Sequence, residues 1–276
     1  METLIKTARI SYGILIAGLG AQQIMYGDFR LVILPQFPAS PALATCAYIA
    51  GALLIIAGIA IIFDKKTRTV SLFLGGILLL LFICCQIPYE LIADPNYKHL
   101  AVWTSAFKEL ALSGSALIVA GSFPDGDEYE QKKDFITSLV EKIIPLGSVF
   151  FSIMMIVFGI DHFLYAGWIA TLVPNWMPGH VFWTYFAGAA LICSGLAIIA
   201  RVQVKLSALL LGIMIFLWFI LLHIPRAIAD PVSLQGNEIS SVLESFGFSG
   251  IACLIAYRYQ TKNAGEDIQL NREALI

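Results

Sequence analysis

Long apolar stretches separated by short polar ones organise this chain from end to end. Eight of them approach the ~20 residues that an α-helix needs to cross the hydrocarbon core of a bilayer. They cover about residues 10–29, 41–63, 69–92, 103–123, 143–167, 181–200, 205–229 and 239–257. No segment shows the alternation of apolar and polar positions, about ten residues long, that a transmembrane β-strand requires. The pattern therefore predicts an all-α integral membrane protein with eight transmembrane helices.

The second half of the chain repeats the first. Four residues of one apolar stretch recur 137 positions later: Tyr48, Ala50, Gly51 and Gly58 return as Tyr185, Ala187, Gly188 and Gly195. Because four helices are an even number, both copies enter the membrane in the same direction. We expect two parallel four-helix-bundle repeats related by a pseudo-twofold axis along the membrane normal. The expected units are residues 1–124 and 143–259, with a cytoplasmic linker at 125–142 and a cytoplasmic tail at 260–276.

Composition and charge also indicate a membrane protein. Hydrophobic residues make up 59% of the sequence and charged residues 13%, and the mean hydropathy is +0.83, so charged side chains are too few to cover a soluble surface. The lipid bilayer is the expected partner, and nothing indicates nucleic-acid binding. Thirteen of the 17 lysines and arginines lie on one side if both termini are cytoplasmic, as the positive-inside rule favours. We expect a multi-pass plasma or inner membrane protein, typical of bacteria, with a retained first helix.

The two halves differ most at two polar positions within the spans. Gln23 and Gln86 of the first half correspond to His162 and His223 of the second. An imidazole in a membrane span indicates either a functional site or a simple interhelical hydrogen bond. Its functional uses include ligation of a metal or haem, proton transfer, and hydrogen bonding to a quinone. We interpret the two histidines as the centre of a site near the outer face of the second bundle, and the first bundle as structural.

Further charged side chains are predicted near the same face. Asp161 joins His162 and His223 as a candidate catalytic residue, although it lies about 100° around its helix from His162. The candidate cofactor-binding residues are the two histidines together with Glu244, Lys108 and Glu109.

Two ion pairs are compatible with the charge pattern. Lys108 and Glu244 occupy equivalent positions with opposite charge, so a salt bridge between the halves and a polar group that contacts a ligand are both open, beside a structural role of Lys108 at the start of its helix. Glu90 and Arg226 are expected either to pair in the same way or to remain solvated.

Three motifs in each four-helix unit carry a family resemblance. They are a glycine and a polar residue near the outer end of the first helix (Gly20 and Gln23; Gly159 and His162), a Y-x-A-G block opening the second helix, and the segment FKELALSGSALIVAG in the fourth. With these motifs each unit resembles the DoxX-like membrane proteins, over about residues 10–123 and 143–258. The second copy departs from the motif where Glu244-Ser245 replaces Lys108-Glu109. Members of this family are linked to thiosulfate:quinone oxidoreductase and to membrane redox complexes handling thiols, so the resemblance implies a quinone-facing subunit.

The hypothesis that follows is a quinone-linked redox subunit. His162 and His223 would bind or protonate a quinone oxygen, and Asp161 or Glu244 would relay the proton. Because the chain shows no flavin or nucleotide fingerprint, no cysteine cluster and no c-type haem motif, electrons are expected from a partner redox subunit. Quinone is the favoured cofactor, a b-type haem held by the two histidines is less favoured, and no metal site is predicted. The alternatives are a small-solute transporter or binding module and a non-enzymatic membrane scaffold.

Overall fold

The computed structural model describes residues 2–123 and 135–273, with side chains for all of these except 136 and 260–273. Within these ranges all regular structure is helical and no strand occurs, which confirms the all-α prediction. Residues 125–134 of the predicted linker and 274–276 of the predicted tail lie outside the described part of the chain.

Nine main helices follow one another in the described ranges. They are α1 (Glu2–Tyr26), α2 (Pro41–Ile62), α3 (Thr67–Leu81), α4 (Thr104–Ala120), α5 (Phe135–Glu141), α6 (Gly147–Leu164), α7 (His180–Ile199), α8 (Val204–Trp218) and α9 (Ser233–Glu273). Helical structure continues beyond α3 to Ala93 and beyond α8 to Ala229. Both continuations stop just before an Asp-Pro pair, because proline cannot extend the helical hydrogen-bond ladder.

Seven helices in the described ranges are long and apolar enough to cross a membrane. They comprise Glu2–Tyr26, Pro41–Ile62, Thr67–Ala93, Thr137–Leu164, His180–Ile199, Val204–Ala229 and Ser233–Tyr259. Their outward faces carry exposed aliphatic side chains, such as Leu53, Ile56 and Leu80, which fits contact with lipid. The chain is therefore a multi-pass membrane protein. The fourth predicted span corresponds to α4, which has 17 residues and is almost wholly buried among the other helices.

The helices of the two halves interlock. Within each half, the first helix packs against the second (α1 on α2, α6 on α7) and the third against the fourth (α3 on α4, α8 on α9). Across the halves, α1 packs against α9 and α4 packs against α6. The expectation of one four-helix bundle per half is thus corrected in one respect, because the first helix of each half packs against the last helix of the other.

Close approach of helix backbones explains the recurring glycines. A Cβ atom on Gly58 would lie 2.5 Å from the carbonyl oxygen of Gly13, and one on Gly20 would lie 2.5 Å from that of Gly51. In the second half, a Cβ on Gly159 would lie 2.7 Å from the carbonyl oxygen of Gly188. Small residues let membrane helices pack backbone to backbone, so these positions hold α1 against α2 and α6 against α7.

Two irregularities occur at matched positions of the halves. A π-helical turn follows α3 at Phe82–Gln86 and another follows α8 at Phe219–His223, and each ends on the residue that differs between the copies. Tight turns with left-handed residues precede α3 and α8, at Asp64 and Lys66 and again at Arg201 and Gln203. Since a π-turn adds one residue to a helical turn, it rotates the side chains that follow it, and such turns are frequent at functional sites.

Candidate functional site

A cavity of about 630 Å³ lies within the second half, at the end of the molecule that carries the loops 27–40 and 165–179. We call this the histidine end, because His162 and His223 both line the cavity. Its volume lies within the range of about 300–1,000 Å³ typical of small-molecule sites. Asp161, Glu244 and Lys108 also line it. The structure therefore brings together five of the six residues that the sequence singled out.

The cavity wall is apolar over most of its area and aromatic in part. Trp168, Trp183, Trp218, Phe158 and Phe248 contribute rings, and the rest of the wall includes methionine, leucine and isoleucine side chains. The rings of Trp183 on α7 and Trp218 on α8 meet edge to face, with centroids 6.2 Å apart. A ligand with an apolar body and a polar group at one end would fit this distribution of wall residues.

One ion pair crosses the cavity wall from one half to the other. Lys108 Nζ, on α4, lies 2.7 Å from Glu244 Oε2, on α9. The Glu244 side chain is 5% exposed and that of Lys108 is 17% exposed. The salt bridge between the halves is thus confirmed, and the cavity of the second half is also lined by four first-half residues, Ala101, Thr104, Ser105 and Lys108.

A second ion pair differs from the one considered from sequence. Arg226 bonds to both carboxylate oxygens of Glu238, at 2.9 and 2.5 Å, and both residues line the cavity. The suggested pairing of Arg226 with Glu90 is therefore wrong. Glu90 is buried in the first half, and its Oε2 has no hydrogen-bond partner in the described part of the protein.

His162 is held by its own helix. Its Nδ1 lies 2.7 Å from the carbonyl oxygen of Phe158, one turn earlier. Because a carbonyl oxygen can only accept, Nδ1 carries the hydrogen, and a neutral ring then presents Nε2 as an acceptor. The imidazole also meets the Phe158 ring edge to face at 5.5 Å. This contact fixes both the tautomer and the direction of the ring.

His223 stands at the end of the π-turn that follows α8. Its Nδ1 is buried and has no hydrogen-bond partner among the described residues. At the matched position of the first half, the Gln86 amide donates to the carbonyl oxygen of Leu31 at 2.8 Å. The amide nitrogen of the glutamine is thus bonded to a loop of its own half, although its Oε1 has no partner among the described residues, whereas the histidine at the matched position makes no such bond.

Asp161 lies beside the histidines but is not the partner of His162. The Thr104 hydroxyl donates to Asp161 Oδ2 over a long 3.4 Å, and Oδ1 is buried without a hydrogen-bond partner in the described chain. Glu244 Oε1 is likewise buried without a hydrogen-bond partner in the described chain.

Glu109 is the one singled-out residue that does not line the cavity. It is fully buried on α4, beside Gln86 of the first half. Glu109 directly follows Lys108 on the helix, so the two side chains point in directions about 100° apart. One faces the second half's cavity and the other the first half, which corrects the expectation that both would contact one ligand.

The corresponding region of the first half is filled by protein. Arg30, in the loop after α1, donates to the Gln235 carbonyl oxygen at 2.8 Å and to the Ser240 hydroxyl at 3.1 Å. Ser240 in turn donates to Gln22 Oε1 at 2.8 Å. Burial of the guanidinium lowers the pKa of Arg30, and a cavity of about 160 Å³ remains beside it. The loop 27–40 therefore closes the space that stays open in the second half.

Several residues that line the cavity were not singled out from the sequence. Thr104 is the first residue of α4 and Glu238 lies near the start of α9. A single polar residue at the start of a helix gives no signal of a site. Trp183 and Trp218 line the cavity as well, and nothing in the sequence singled them out. The one available signal was Arg226, since a cation inside a span requires a partner.

The geometry offers no ready metal centre. In the described ranges no three histidine, cysteine, aspartate or glutamate residues are grouped so that they could hold an ion. Comparison with protein-family models, curated proteins and solved structures gives no match to this chain. The site must therefore be interpreted from its own chemistry.

Proposed function

We propose that this chain is a quinone-linked redox subunit of a bacterial inner membrane, built like the DoxX-like proteins and binding its quinone in the cavity of the second half. The observation that carries the proposal is a set of three buried polar atoms that have no hydrogen-bond partner among the described residues. Asp161 Oδ1, His223 Nδ1 and Glu244 Oε1 come from three different helices and belong to residues lining the same cavity. Buried polar atoms are nearly always hydrogen-bonded, so a cavity occupant would complete them.

The shape of the cavity supports an amphipathic ring compound. Tryptophan and phenylalanine side chains would contact the ring and the start of an apolar tail, while the histidines would contact a polar substituent. A lipid-soluble molecule of this kind reaches a membrane protein from the bilayer itself. Quinones combine such a ring, a polar oxygen at each end and a long apolar tail.

Proton transfer would be the contribution of this chain. Reduction of a quinone takes up two electrons and two protons to give a hydroquinone. His162 Nε2 and His223 Nδ1, once protonated from the aqueous phase, would each deliver one proton to a quinone oxygen, and Asp161 and Glu244 would stabilise the positive charge of the protonated imidazoles before the transfer. The electrons would come from a partner redox subunit.

The proposed topology places this site at the outer face. If α4 crosses together with the seven longer helices, the chain crosses eight times as two parallel repeats, with both termini cytoplasmic. The histidine end then faces outward. Polar groups clustered at one end favour a binding site over the alternative of alternating-access transport, which generally uses a site near the midplane.

Titration with a short-chain alkyl benzoquinone tests the proposal. Three of the five tryptophans line the cavity, so their fluorescence should be quenched on binding. Ala187→Phe fills the cavity and should abolish saturable quenching, because Ala187 is buried on its wall. Ala50→Phe, at the matched position of the first half, is the control. Its tryptophan fluorescence should be quenched by the ligand as in the native protein. Absence of saturable quenching in the native protein would refute quinone binding, and a Soret band in the purified protein would support haem in its place.

A further inference from the structure

The cavity of the second half is bordered by two helices that pack only lightly against each other. α7 packs chiefly against α6, and α8 packs chiefly against α9, whereas the contact between α7 and α8 is much less extensive. Both helices nevertheless line the cavity, α7 with Thr184, Ala187 and Leu191 and α8 with Met214 and Ile215. The seam between α7 and α8 is therefore a lightly packed part of the cavity wall.

Two tryptophan rings close this seam. Trp183 on α7 and Trp218 on α8 both line the cavity, and their rings meet edge to face with centroids 6.2 Å apart. The Trp183 ring is anchored, because its Nε1 donates to the carbonyl oxygen of Pro178 at 3.1 Å. The Trp218 indole has no hydrogen-bond partner among the described residues. One ring is thus fixed, while the other is held by packing alone.

The outer side of the ring pair faces lipid. The Trp183 ring contacts the rings of Phe182 and Phe186, with centroids 5.3 and 5.8 Å away, and both phenylalanine side chains are exposed. Leu217, beside Trp218 on α8, is exposed as well. Exposed apolar side chains on a membrane-spanning helix contact the bilayer. The two tryptophan rings therefore stand between the lipid and the cavity.

The repeat associates the ring pair with the open cavity. Trp183 and Trp218 correspond to Cys46 and Leu81 of the first half, each 137 residues earlier. In that half the loop 27–40 fills the space, and no tryptophan stands at either position. Tryptophans also serve as anchors at the membrane interface, but an anchor would serve both halves equally. The presence of the pair in one half alone points to a role at the cavity.

We infer that the seam between α7 and α8 is the entrance of the cavity from the bilayer, and that Trp183 and Trp218 form its gate. The inference rests on the proposed function for the identity of the ligand. A lipid-soluble ring compound partitions into the bilayer and reaches the seam by lateral diffusion. Displacement of the Trp218 ring opens the passage, and its return encloses the ligand. A gate of this kind sets the rates of binding and release together.

A crosslink across the seam tests the entrance. Trp183→Cys and Trp218→Cys are introduced after the five native cysteines are replaced by alanine, and a short bifunctional thiol reagent joins them, as verified by mass analysis. Stopped-flow fluorescence of the remaining tryptophans, of which Trp168 lines the cavity, follows the alkyl benzoquinone in lipid nanodiscs. Crosslinking should slow association and dissociation by at least about tenfold each and leave the affinity within about twofold. Unchanged rates would overturn the inference, since the ligand would then enter at the histidine end.

The first half supplies the matched control for the crosslink. Native Cys46 with Leu81→Cys places the same link between α2 and α3, in a protein whose other four cysteines are replaced by alanine. This link should leave both rates unchanged, because the loop 27–40 closes the space behind it. Equal slowing by the two crosslinks would show a general stiffening of the protein and would overturn the gate.

A single substitution tests the movable ring without a crosslink. Trp218→Leu supplies the residue of the first half, so the seam keeps an apolar side chain but loses the ring. The association rate should rise by about tenfold, whereas loss of a simple wall contact would change the dissociation rate alone. An unchanged association rate would overturn the role of Trp218 while leaving the quinone site intact. Absence of any quenching that Ala187→Phe abolishes would instead refute the proposed function itself.

Discussion

Lys108 Nζ and Glu244 Oε2 form an ion pair of 2.7 Å between α4 of the first half and α9 of the second. The two residues stand at equivalent positions of the repeat, and their opposite charges join the two halves. Because Glu244 is nearly buried, loss of Lys108 would leave its charge without compensation.

Removal of one partner of this pair should destabilise the protein more than removal of both. We expect Lys108→Met to lower the free energy of unfolding by about 3 kcal/mol, as when a buried pair is broken. Lys108→Met combined with Glu244→Gln should recover most of that loss, since no buried charge then remains. Thermal unfolding of the native protein, Lys108→Met, Glu244→Gln and the double variant in one detergent measures the coupling energy between the two residues. Additive effects of the two substitutions would show that the pair contributes little.

Replacement of the histidines by the residues of the first half should weaken ligand binding without unfolding the protein. His162→Gln and His223→Gln should each lower the affinity for the ligand by about tenfold, because the amide cannot exchange a proton and does not place a hydrogen-bonding atom where the imidazole nitrogen lies. Tryptophan quenching measures the affinity. His99→Gln serves as the control, since His99 is exposed and does not line the cavity. Native affinity in both cavity variants would show that the histidines only link helices.

Insertion of histidines into the first half should not create a second site. Gln23→His with Gln86→His copies the second half at both positions, but the loop 27–40 still fills the corresponding space and Arg30 remains bonded to α9. Binding stoichiometry, measured by calorimetry with the quinone analogue, should stay at one per chain. A second equivalent of bound ligand would contradict the view that the first half is closed by its loop.

Glycine substitutions should separate tight from open backbone positions. Gly58→Ala places a Cβ atom 2.5 Å from the Gly13 carbonyl oxygen and 2.6 Å from the Ala17 nitrogen, so α1 and α2 must move apart at a cost of about 1–3 kcal/mol. Gly167→Ala is the matched control, because no neighbouring atom lies within 4 Å of its Cβ. The two variants are compared by thermal unfolding. Equal melting temperatures would refute the close packing of α1 on α2.

The sequence predicted the helical membrane architecture well because composition and segment length suffice for it. Comparison of the two halves singled out His162 and His223, and both line the cavity of the second half. The sequence did not predict which helices pair across the halves, since apolar faces of similar composition pack equally well in several arrangements. Glu109 does not line the cavity that Lys108 lines, because a single step along α4 turns the two side chains about 100° apart. Glu238 was missed because its partner, Arg226, lies beyond a π-turn that hydropathy does not indicate.

Photolabelling with an azido-substituted alkyl benzoquinone tests the location of the ligand site most directly. The repeat supplies an internal control, because every labelled peptide of the second half has a counterpart in the first. We expect label on the cavity segments 154–173 and 214–226, suppressed by excess unlabelled quinone and absent from the matched segments of the first half. Label distributed equally between the halves, or resistant to competition, would contradict a single ligand cavity in the second half.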